Sequence, residues 1–138
     1  MTEKQIKSVR RTFKKIRPIA GQAAALFYAK LFDLDPKLRS LFVHDLKDQG
    51  RKLMEVIEYA VVRLETPGEL LPAVRELGRR HVAYGVADED YEKVGEALIW
   101  TLEKALGRDF NAEARAAWTA VYGLLAETMR DGARNLKG

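Results

Sequence analysis

A histidine on an apolar stripe is the side chain of this sequence whose surroundings most clearly suggest chemistry. His81 is one of only two histidines in 138 residues. It follows Leu70, Val74, Leu77 and Gly78 at steps of three and four, which predicts a helix with one buried face and Gly78 leaving room for the imidazole. A buried ring nitrogen requires a partner. A lone core histidine is more often structural than functional, so the groups that face it decide its role.

Three side chains upstream are suited to face that histidine. Tyr28 offers a phenol, Phe42 an aromatic ring and Gln49 a carboxamide. An imidazole opposite two hydrogen-bond donors across an apolar slot is what an oxygen-binding haem pocket requires, because one axial histidine leaves the opposite iron position open to a gas. A hydrogen bond donated to polarised dioxygen is worth about 1.5–3 kcal/mol. Leu53, one turn beyond Gln49, would cover the pocket with hydrocarbon.

Each of these residues also has a purely structural interpretation. Tyr28 could be a core phenol bonded to a backbone carbonyl, and Gln49 could face water near the start of a helix. Lys52, Arg79 and Arg80 lie where helix rims could meet two haem propionates, but they could equally be surface charge. Taken singly, the structural interpretation is at least as good, so the case for a haem pocket depends on the combination.

The composition sets the class of protein. With 138 residues, 47% hydrophobic and 32% charged, the chain has the make-up of one water-soluble domain. It has no cysteine, no signal-peptide pattern and no apolar run of the roughly 18 residues that would suggest a membrane span. We therefore expect a cytoplasmic protein. The basic residues of the first helix alternate with its apolar stripe and indicate a solvated face, so neither nucleic acid nor membrane is an expected partner.

Other chemistries fit the residues less well. The two serines, Ser8 and Ser40, are not in a strand–turn–helix context, which disfavours a serine hydrolase. His44 and His81 lack the ligand spacing of a zinc site. No glycine-rich phosphate loop is present.

The periodicity is helical from end to end, with no strand pattern and no heptad seam. About seven helices of unequal length favour a crossed helical sandwich over a four-helix bundle. In the first half of the chain, a capping box at Thr2 opens a helix that Pro18 and Gly21 end, a second helix covers about 21–34, and a short helix follows Asp35-Pro36. A polar loop over 44–48 then leads into a further helix, and a short piece lies at 66–69. In the second half, Pro72 opens the helix that carries His81, Asp88 caps a helix that Gly107 closes, and a last helix starts at Asn111.

Several segments together carry a family resemblance. They include Leu26-Phe27-Tyr28-Ala29-Lys30-Leu31-Phe32, Asp35-Pro36 with Phe42 six residues on, Gln49-x-Arg51-Lys52-Leu53-Met54, and Leu77-Gly78-Arg79-Arg80-His81. Along its whole length the chain resembles bacterial single-domain globins of the flavohaemoglobin lineage. The spacing from Phe42 to Gln49 is similar to that of the Hell's Gate type. The resemblance implies an all-α globin fold, a three-over-three helical sandwich around haem b, formed by residues 1–138 as a single domain.

The resemblance also implies roles for individual residues. His81 would be the proximal iron ligand, Tyr28 and Gln49 the distal donors, Phe42 a wedge against the haem and Leu53 its cover. The remaining expected haem contacts are Lys52, Leu77, Arg80, Val86, Tyr91 and Val94.

The proximal side departs from the family pattern at one position. Tyr91 matches the tyrosine that orients the proximal histidine in flavohaemoglobins, whereas Asn135 stands where those proteins have a glutamate. An amide brings no charge, so a strongly electron-donating proximal side is not expected.

The expected function is reversible binding of dioxygen, nitric oxide or carbon monoxide by a monomer at five-coordinate haem iron, for oxygen binding, storage or transport. Nitric oxide dioxygenation with a separate reductase stays open as an enzymatic alternative, as do gas sensing and, more remotely, a haem-free structural role. Enzymatic activity is less favoured because no flavin or nicotinamide domain accompanies the globin. Whether His44 or Tyr28 coordinates iron in the absence of gas also stays open.

Overall fold

The computed structural model describes residues 1–42 and 45–134. These residues form six α-helices and three short 3-10 helices, with no strand among them. The α-helices are α1 (Glu3–Ile16), α2 (Ala20–Leu34), α3 (Leu46–Val62), α4 (Pro67–Ala83), α5 (Asp90–Leu106) and α6 (Ala112–Arg134). The 3-10 helices are Arg17–Ile19, Pro36–Leu41 and Gly107–Asp109. The predicted all-α class is confirmed.

Local sequence signals explain several of the helix ends. Thr2 forms the predicted capping box with Gln5, each side chain accepting from the other residue's backbone amide. The Asn111 carboxamide oxygen accepts from the Ala114 amide at 2.8 Å and opens α6. Gly107 ends α5 with a φ of +54°, in the left-handed region that favours glycine.

The helix that carries His81 begins earlier than predicted, at Pro67 instead of Pro72. The Thr66 carbonyl already accepts from the amides of Glu69 and Leu70, at 3.0 and 3.1 Å, so the first turn is closed before Pro72 is reached. A proline inside a helix removes one hydrogen bond and crowds the residue four positions earlier. That residue is Gly68, in the first turn, and α4 continues through Pro72 without the hydrogen bond that the Gly68 carbonyl would otherwise accept.

Two further boundaries differ from the predictions. Asp88 does not cap α5, because the Asp90 carboxylate makes the local bond instead and accepts from the Ala87 amide at 2.8 Å. The segment 46–48, predicted as loop, belongs to α3, because Asp45 caps the helix by accepting from the Lys47 amide at 3.1 Å. His44, which was assigned to the same loop, lies outside the described residues.

Helix packing mostly joins helices that are distant in sequence. α1 packs on α3 and α6, α2 crosses α3 and α5, and α4 lies along α6. Trp118 is at the centre of the core, where its indole donates to the buried Thr12 hydroxyl at 2.7 Å. Within the described ranges, α3 and α4 touch near the loop that joins them, where Ala60 packs with Leu70 and Val74, but they do not pack along their whole length. Gln49 and His81 lie two or more turns away from this contact on their helices, and the space between these two parts of α3 and α4 is the candidate cleft.

Candidate functional site

His81 is held in one tautomer by its own helix. It lies half-buried in the last turn of α4, with Nδ1 2.7 Å from the Leu77 carbonyl oxygen. A carbonyl oxygen can only accept, so Nδ1 carries the proton and Nε2 keeps its lone pair. Burial lowers the pKa of His81, and the Leu77 bond offsets this in part. The neutral ring with a free Nε2 is the form that binds a metal.

The chain turns sharply directly after this histidine. Gly85 has a φ of +91°, and its amide donates to the Val82 carbonyl at 3.1 Å while the Val86 amide donates to the His81 carbonyl at 3.0 Å. These two bonds form a Schellman motif, which satisfies the last carbonyls of α4. Val86 is thereby joined to the backbone of His81, and the Tyr84 ring centroid lies 6.0 Å from the imidazole centroid.

Tyr28 is buried in an aromatic box on α2. Its side chain is 6% exposed, and its ring centroid lies 5.2 Å from those of Phe27 and Phe42 and 6.0 Å from that of Phe32. Burial raises the pKa of Tyr28 to about 12, so the phenol stays protonated and can donate. No backbone carbonyl of the described residues accepts its proton, which disfavours the purely structural interpretation.

A close helix crossing brings Gln49 to the same place. A Cβ on Gly50 would lie 2.8 Å from the Ala24 Cβ and 3.7 Å from Tyr28 Cε2, so only glycine lets α3 approach α2 this closely. Gln49 precedes this contact and is half-buried. Leu53 follows one turn later and packs, partly buried, on the main core. The structure thus gathers the three predicted distal residues around one crossing.

The predicted propionate partners are less well defined by the structure. Lys52 and Arg80 are exposed on α3 and α4. Lys52 Nζ lies 3.5 Å from an Asp48 carboxylate oxygen, and Arg80 Nε lies 3.9 Å from one of Glu76. A propionate would compete with these acidic neighbours, and both assignments remain predictions.

Tyr91 is buried but does not hydrogen-bond to His81 within the part of the chain that the structure describes. Its ring lies under the Arg130 guanidinium, 5.2 Å from centroid to Cζ, and its backbone carbonyl accepts from the Tyr122 hydroxyl at 2.6 Å. The group that orients His81 is therefore the Leu77 carbonyl. Asn135, at the position of the flavohaemoglobin glutamate, lies outside the described residues.

Gly78 has a different role from the one that the sequence suggested. The space it leaves is taken by the backbone of Met129 on α6, not by the imidazole. A glycine inside a predicted helix indicates a close contact with another element. The contacting residue, Met129, is about fifty positions further along the chain, so the periodicity of α4 cannot identify it.

A groove of about 570 Å³ lies between α5 and α6. It contains Lys30, Arg115 and Arg130 together with three glutamates, and no histidine. Arg115 already pairs with Glu103. Among the described residues no group of histidines and carboxylates could hold a metal ion, and no helix is both long and apolar enough to cross a membrane. The cleft at His81 is the better candidate for chemistry.

Comparison with known proteins identifies the family. The family model for globins matches residues 25–129. The chain belongs to the globin family. This globin is 27% identical to the neuroglobin of Chaenocephalus aceratus, over 96% of its own length and 92% of that protein's. It is 31% identical to the neuroglobin of Tetraodon nigroviridis, over 78% and 76% of the two lengths.

The fold of this globin also matches a solved structure. The hexacoordinated haem protein of an anhydrobiotic tardigrade, crystallised at pH 4, superposes with a TM-score of 0.88 at 18% identity, covering 97% of this chain and 96% of that one. The predicted globin fold is confirmed. These relatives give no support to the predicted flavohaemoglobin lineage or to the Hell's Gate type.

The side chains around the cleft fit the haem that a globin fold implies. Nε2 of His81 has a free lone pair, and the Tyr28 hydroxyl has no protein partner among the described residues. Phe42, Leu53 and Val94 pack on the core yet stay partly exposed, as expected of apolar side chains that a porphyrin would cover. One metal ligand, one donor and a set of partly exposed apolar side chains are thus available to a haem, and their joint role as its pocket stays a prediction.

Proposed function

We propose that this globin binds haem b through His81 and takes up dioxygen reversibly on the opposite face, where nitric oxide and carbon monoxide compete. The observation that carries the proposal is the 2.7 Å contact between His81 Nδ1 and the Leu77 carbonyl. It fixes the proton on Nδ1 and leaves Nε2 as the only ring atom able to bind iron. Haem, when bound, supplies an iron whose sixth position accepts a diatomic gas.

Tyr28 supports the choice of dioxygen as the ligand. Its pKa of about 12 keeps the hydroxyl protonated, and its three aromatic neighbours hold the ring rigidly. A hydrogen bond from this hydroxyl favours a gas that gains negative charge on binding, so dioxygen benefits more than carbon monoxide. Gln49, half-buried beside the same crossing, supplies a second donor.

We further propose that the iron is five-coordinate before gas binds. A tyrosine coordinates iron as a phenolate, and the raised pKa of Tyr28 opposes loss of its proton. His44 is the one other histidine in the sequence, and it lies outside the described residues. The tardigrade relative is hexacoordinated, but at 18% identity it serves as a guide to the fold alone.

The distal donor pair supports a finer proposal about lineage. Tyr28 and Gln49 match the distal residues of flavohaemoglobin-type globins, whereas the relatives found across the whole chain are neuroglobins. We propose that this globin has the distal chemistry of the first group.

The absorption spectrum of the haem-reconstituted protein tests the proposed function. We expect a five-coordinate, high-spin ferrous spectrum without gas, an oxygenated spectrum in air, and full return when oxygen is removed. Immediate oxidation to the ferric form in air would contradict reversible binding. A six-coordinate ferrous spectrum would contradict the five-coordinate state, and the variant His44→Leu would then show whether His44 is the sixth ligand.

A further inference from the structure

The two helices α4 and α6 pack through a pair of glycines. A methyl group on Gly78 would overlap the carbonyl oxygen of Met129 and lie 2.6 Å from its Cα. A methyl group on Gly132 would likewise overlap the carbonyl oxygen of Arg75 and lie 2.8 Å from its carbonyl carbon. Both neighbours are backbone atoms, so no change of rotamer could relieve the overlap, and the helices would have to move apart.

The Gly78 contact lies within one turn of the imidazole. His81 is three residues further along α4, and Leu77, whose carbonyl fixes the ring, precedes Gly78 directly. The contact between Gly78 and Met129 therefore supports the turn of helix that carries both members of the hydrogen bond. The Gly132 contact at Arg75 is one turn further from the histidine.

Arg130, the residue after Met129, contacts the chain on the other side of His81, at residues 88–91. Arg130 Nε lies 3.0 Å from an Asp88 carboxylate oxygen, and its Nη2 donates to the Asp88 carbonyl at 3.2 Å. The same guanidinium lies over the Tyr91 ring. Met129 and Arg130 thus fix residues 78 and 88–91, on both sides of His81, against one turn of α6.

We propose that Gly78 is a positioning residue for His81. Its missing side chain lets α4 rest against the backbone of α6, and this approach sets the depth and angle at which the imidazole enters the cleft. The inference rests on the proposed function, because it takes His81 as the iron ligand. Gly78→Ala would move α4 away from Met129 and thereby change the strength of the iron–imidazole bond.

The experiment compares three glycine-to-alanine variants of the haem-loaded protein. Gly78→Ala and Gly132→Ala both disturb the α4–α6 contact. Gly68→Ala is the matched control on the same helix, because nothing lies within 4 Å of its Cβ position. We expect the first two to lower the folding constant of the apoprotein about ten- to a hundredfold in urea unfolding, and the control to leave it unchanged or higher.

Resonance Raman spectroscopy of the gas-free ferrous protein separates positioning from stability. We expect the iron–histidine stretching frequency to shift in Gly78→Ala, to shift less in Gly132→Ala, and to stay constant in Gly68→Ala. Lost stability with an unshifted band in Gly78→Ala would overturn the proposal. A larger shift in Gly132→Ala would overturn it as well.

A His81→Gly background, with imidazole added to the solution, tests the route of the effect. The free imidazole is detached from α4, so Gly78→Ala should no longer shift the iron–imidazole band. A shift that persists would overturn the proposal about Gly78 and leave the proposed function of His81 intact. A His81→Gly protein with an unchanged spectrum before imidazole is added would instead overturn the proposed function, and this inference with it.

If Gly78→Ala does not fold, Gly132→Ala tests the proposal in its place. The same measurements are then made on Gly132→Ala, with sucrose present to favour the compact state. A small band shift that disappears in the His81→Gly background supports the proposal. A shift of the same size in both backgrounds, or no shift in either, overturns it.

Discussion

The two sides of the cleft are built differently. On the proximal side, His81 is held by a hydrogen bond to Leu77, by the turn at Gly85 and by the contact between Gly78 and α6. On the distal side, the Tyr28 hydroxyl has no partner among the described residues. In the proposed function, the proximal side would fix the position of the haem, whereas the distal side would keep a donor free for a gas.

The helix crossings show the same difference. On the proximal side, Gly78 faces backbone atoms of Met129, which cannot be removed by mutation. On the distal side, Gly50 faces the methyl group of Ala24, which can be. We therefore expect the distal crossing to tolerate paired substitutions and the proximal crossing to reject them.

The largest expected effect comes from removing the proximal ligand. His81→Gly should lose haem during purification, because no other described residue offers a metal-binding nitrogen at this place. Imidazole added to the solution should restore binding and the Soret band. An unchanged Soret band in this variant without imidazole would contradict the role of His81. Tyr84→Phe, which keeps the ring near the imidazole, serves as a control and should retain haem.

Removing the distal donor should change the binding of the gas and leave the binding of haem unchanged. Tyr28→Phe should speed dioxygen dissociation by about one to two orders of magnitude, from the loss of a charge-assisted hydrogen bond. Carbon monoxide should be affected far less. Stopped-flow and flash-photolysis measurements of both gases check this prediction, and equal changes for the two gases would indicate a steric cause.

Much of this arrangement could be predicted from the sequence. The apolar stripe placed His81 on an inward face, and the capping signals at Thr2 and Asn111 gave the ends of α1 and α6 closely. These features are local, since spacing and cap chemistry act within one or two turns. The combination of a histidine with two donors also predicts one site, although each residue alone is ambiguous, and that site stays a prediction.

The predicted boundaries differ from the structure where two local signals compete or where a distant residue takes part. Pro72 is a strong helix-start signal, but the Thr66 carbonyl already closes a turn with the amides of Glu69 and Leu70, and the helix begins five residues earlier. Asp88 looks like a helix cap, yet Arg130 pairs with it from 42 residues away. The flavohaemoglobin lineage is a finer prediction from motifs along the chain, and the matches to neuroglobins, which cover 96% of it, give that lineage no support.

The distal crossing can be tested by a double-mutant cycle. Gly50→Ala should lower the free energy of unfolding by about 1–3 kcal/mol through overpacking, because its Cβ would lie 2.8 Å from that of Ala24. Adding Ala24→Gly should recover part of the loss, so the two changes should be coupled. Gly123→Ala, at an open position in α6, is the control and should stabilise the protein by up to about 1 kcal/mol. Purely additive effects at 24 and 50 in urea unfolding would contradict the crossing.

Alkaline pH should lower the free energy of unfolding through the buried phenol of Tyr28. Its pKa is about 12 in the folded protein against an ordinary 10.0, so the native state binds more protons than the unfolded chain between those values. The free energy of unfolding should therefore fall as pH rises through this range. The decline should be shallower in Tyr28→Phe, though not absent, because burial also raises the pKa of Tyr91 and Tyr122. Urea unfolding at intervals across the range measures both slopes, and identical slopes would contradict the burial of Tyr28.

The smallest effect is expected at the second distal donor. Gln49 is half-buried in the first turns of α3 and has a longer, more mobile side chain than Tyr28, so its hydrogen bond to a bound gas should be the weaker one. Gln49→Leu should speed dioxygen dissociation by about two- to tenfold, the range of an ordinary neutral hydrogen bond. The double variant with Tyr28→Phe shows whether the two donors act independently. Multiplying effects would mean that each donates to the gas by itself, whereas no further effect of Gln49→Leu without the phenol would mean that Gln49 works by orienting Tyr28. A larger effect from Gln49→Leu than from Tyr28→Phe would reverse the assignment of the principal donor, and the distal side would then depend on the half-buried carboxamide instead of the rigid phenol.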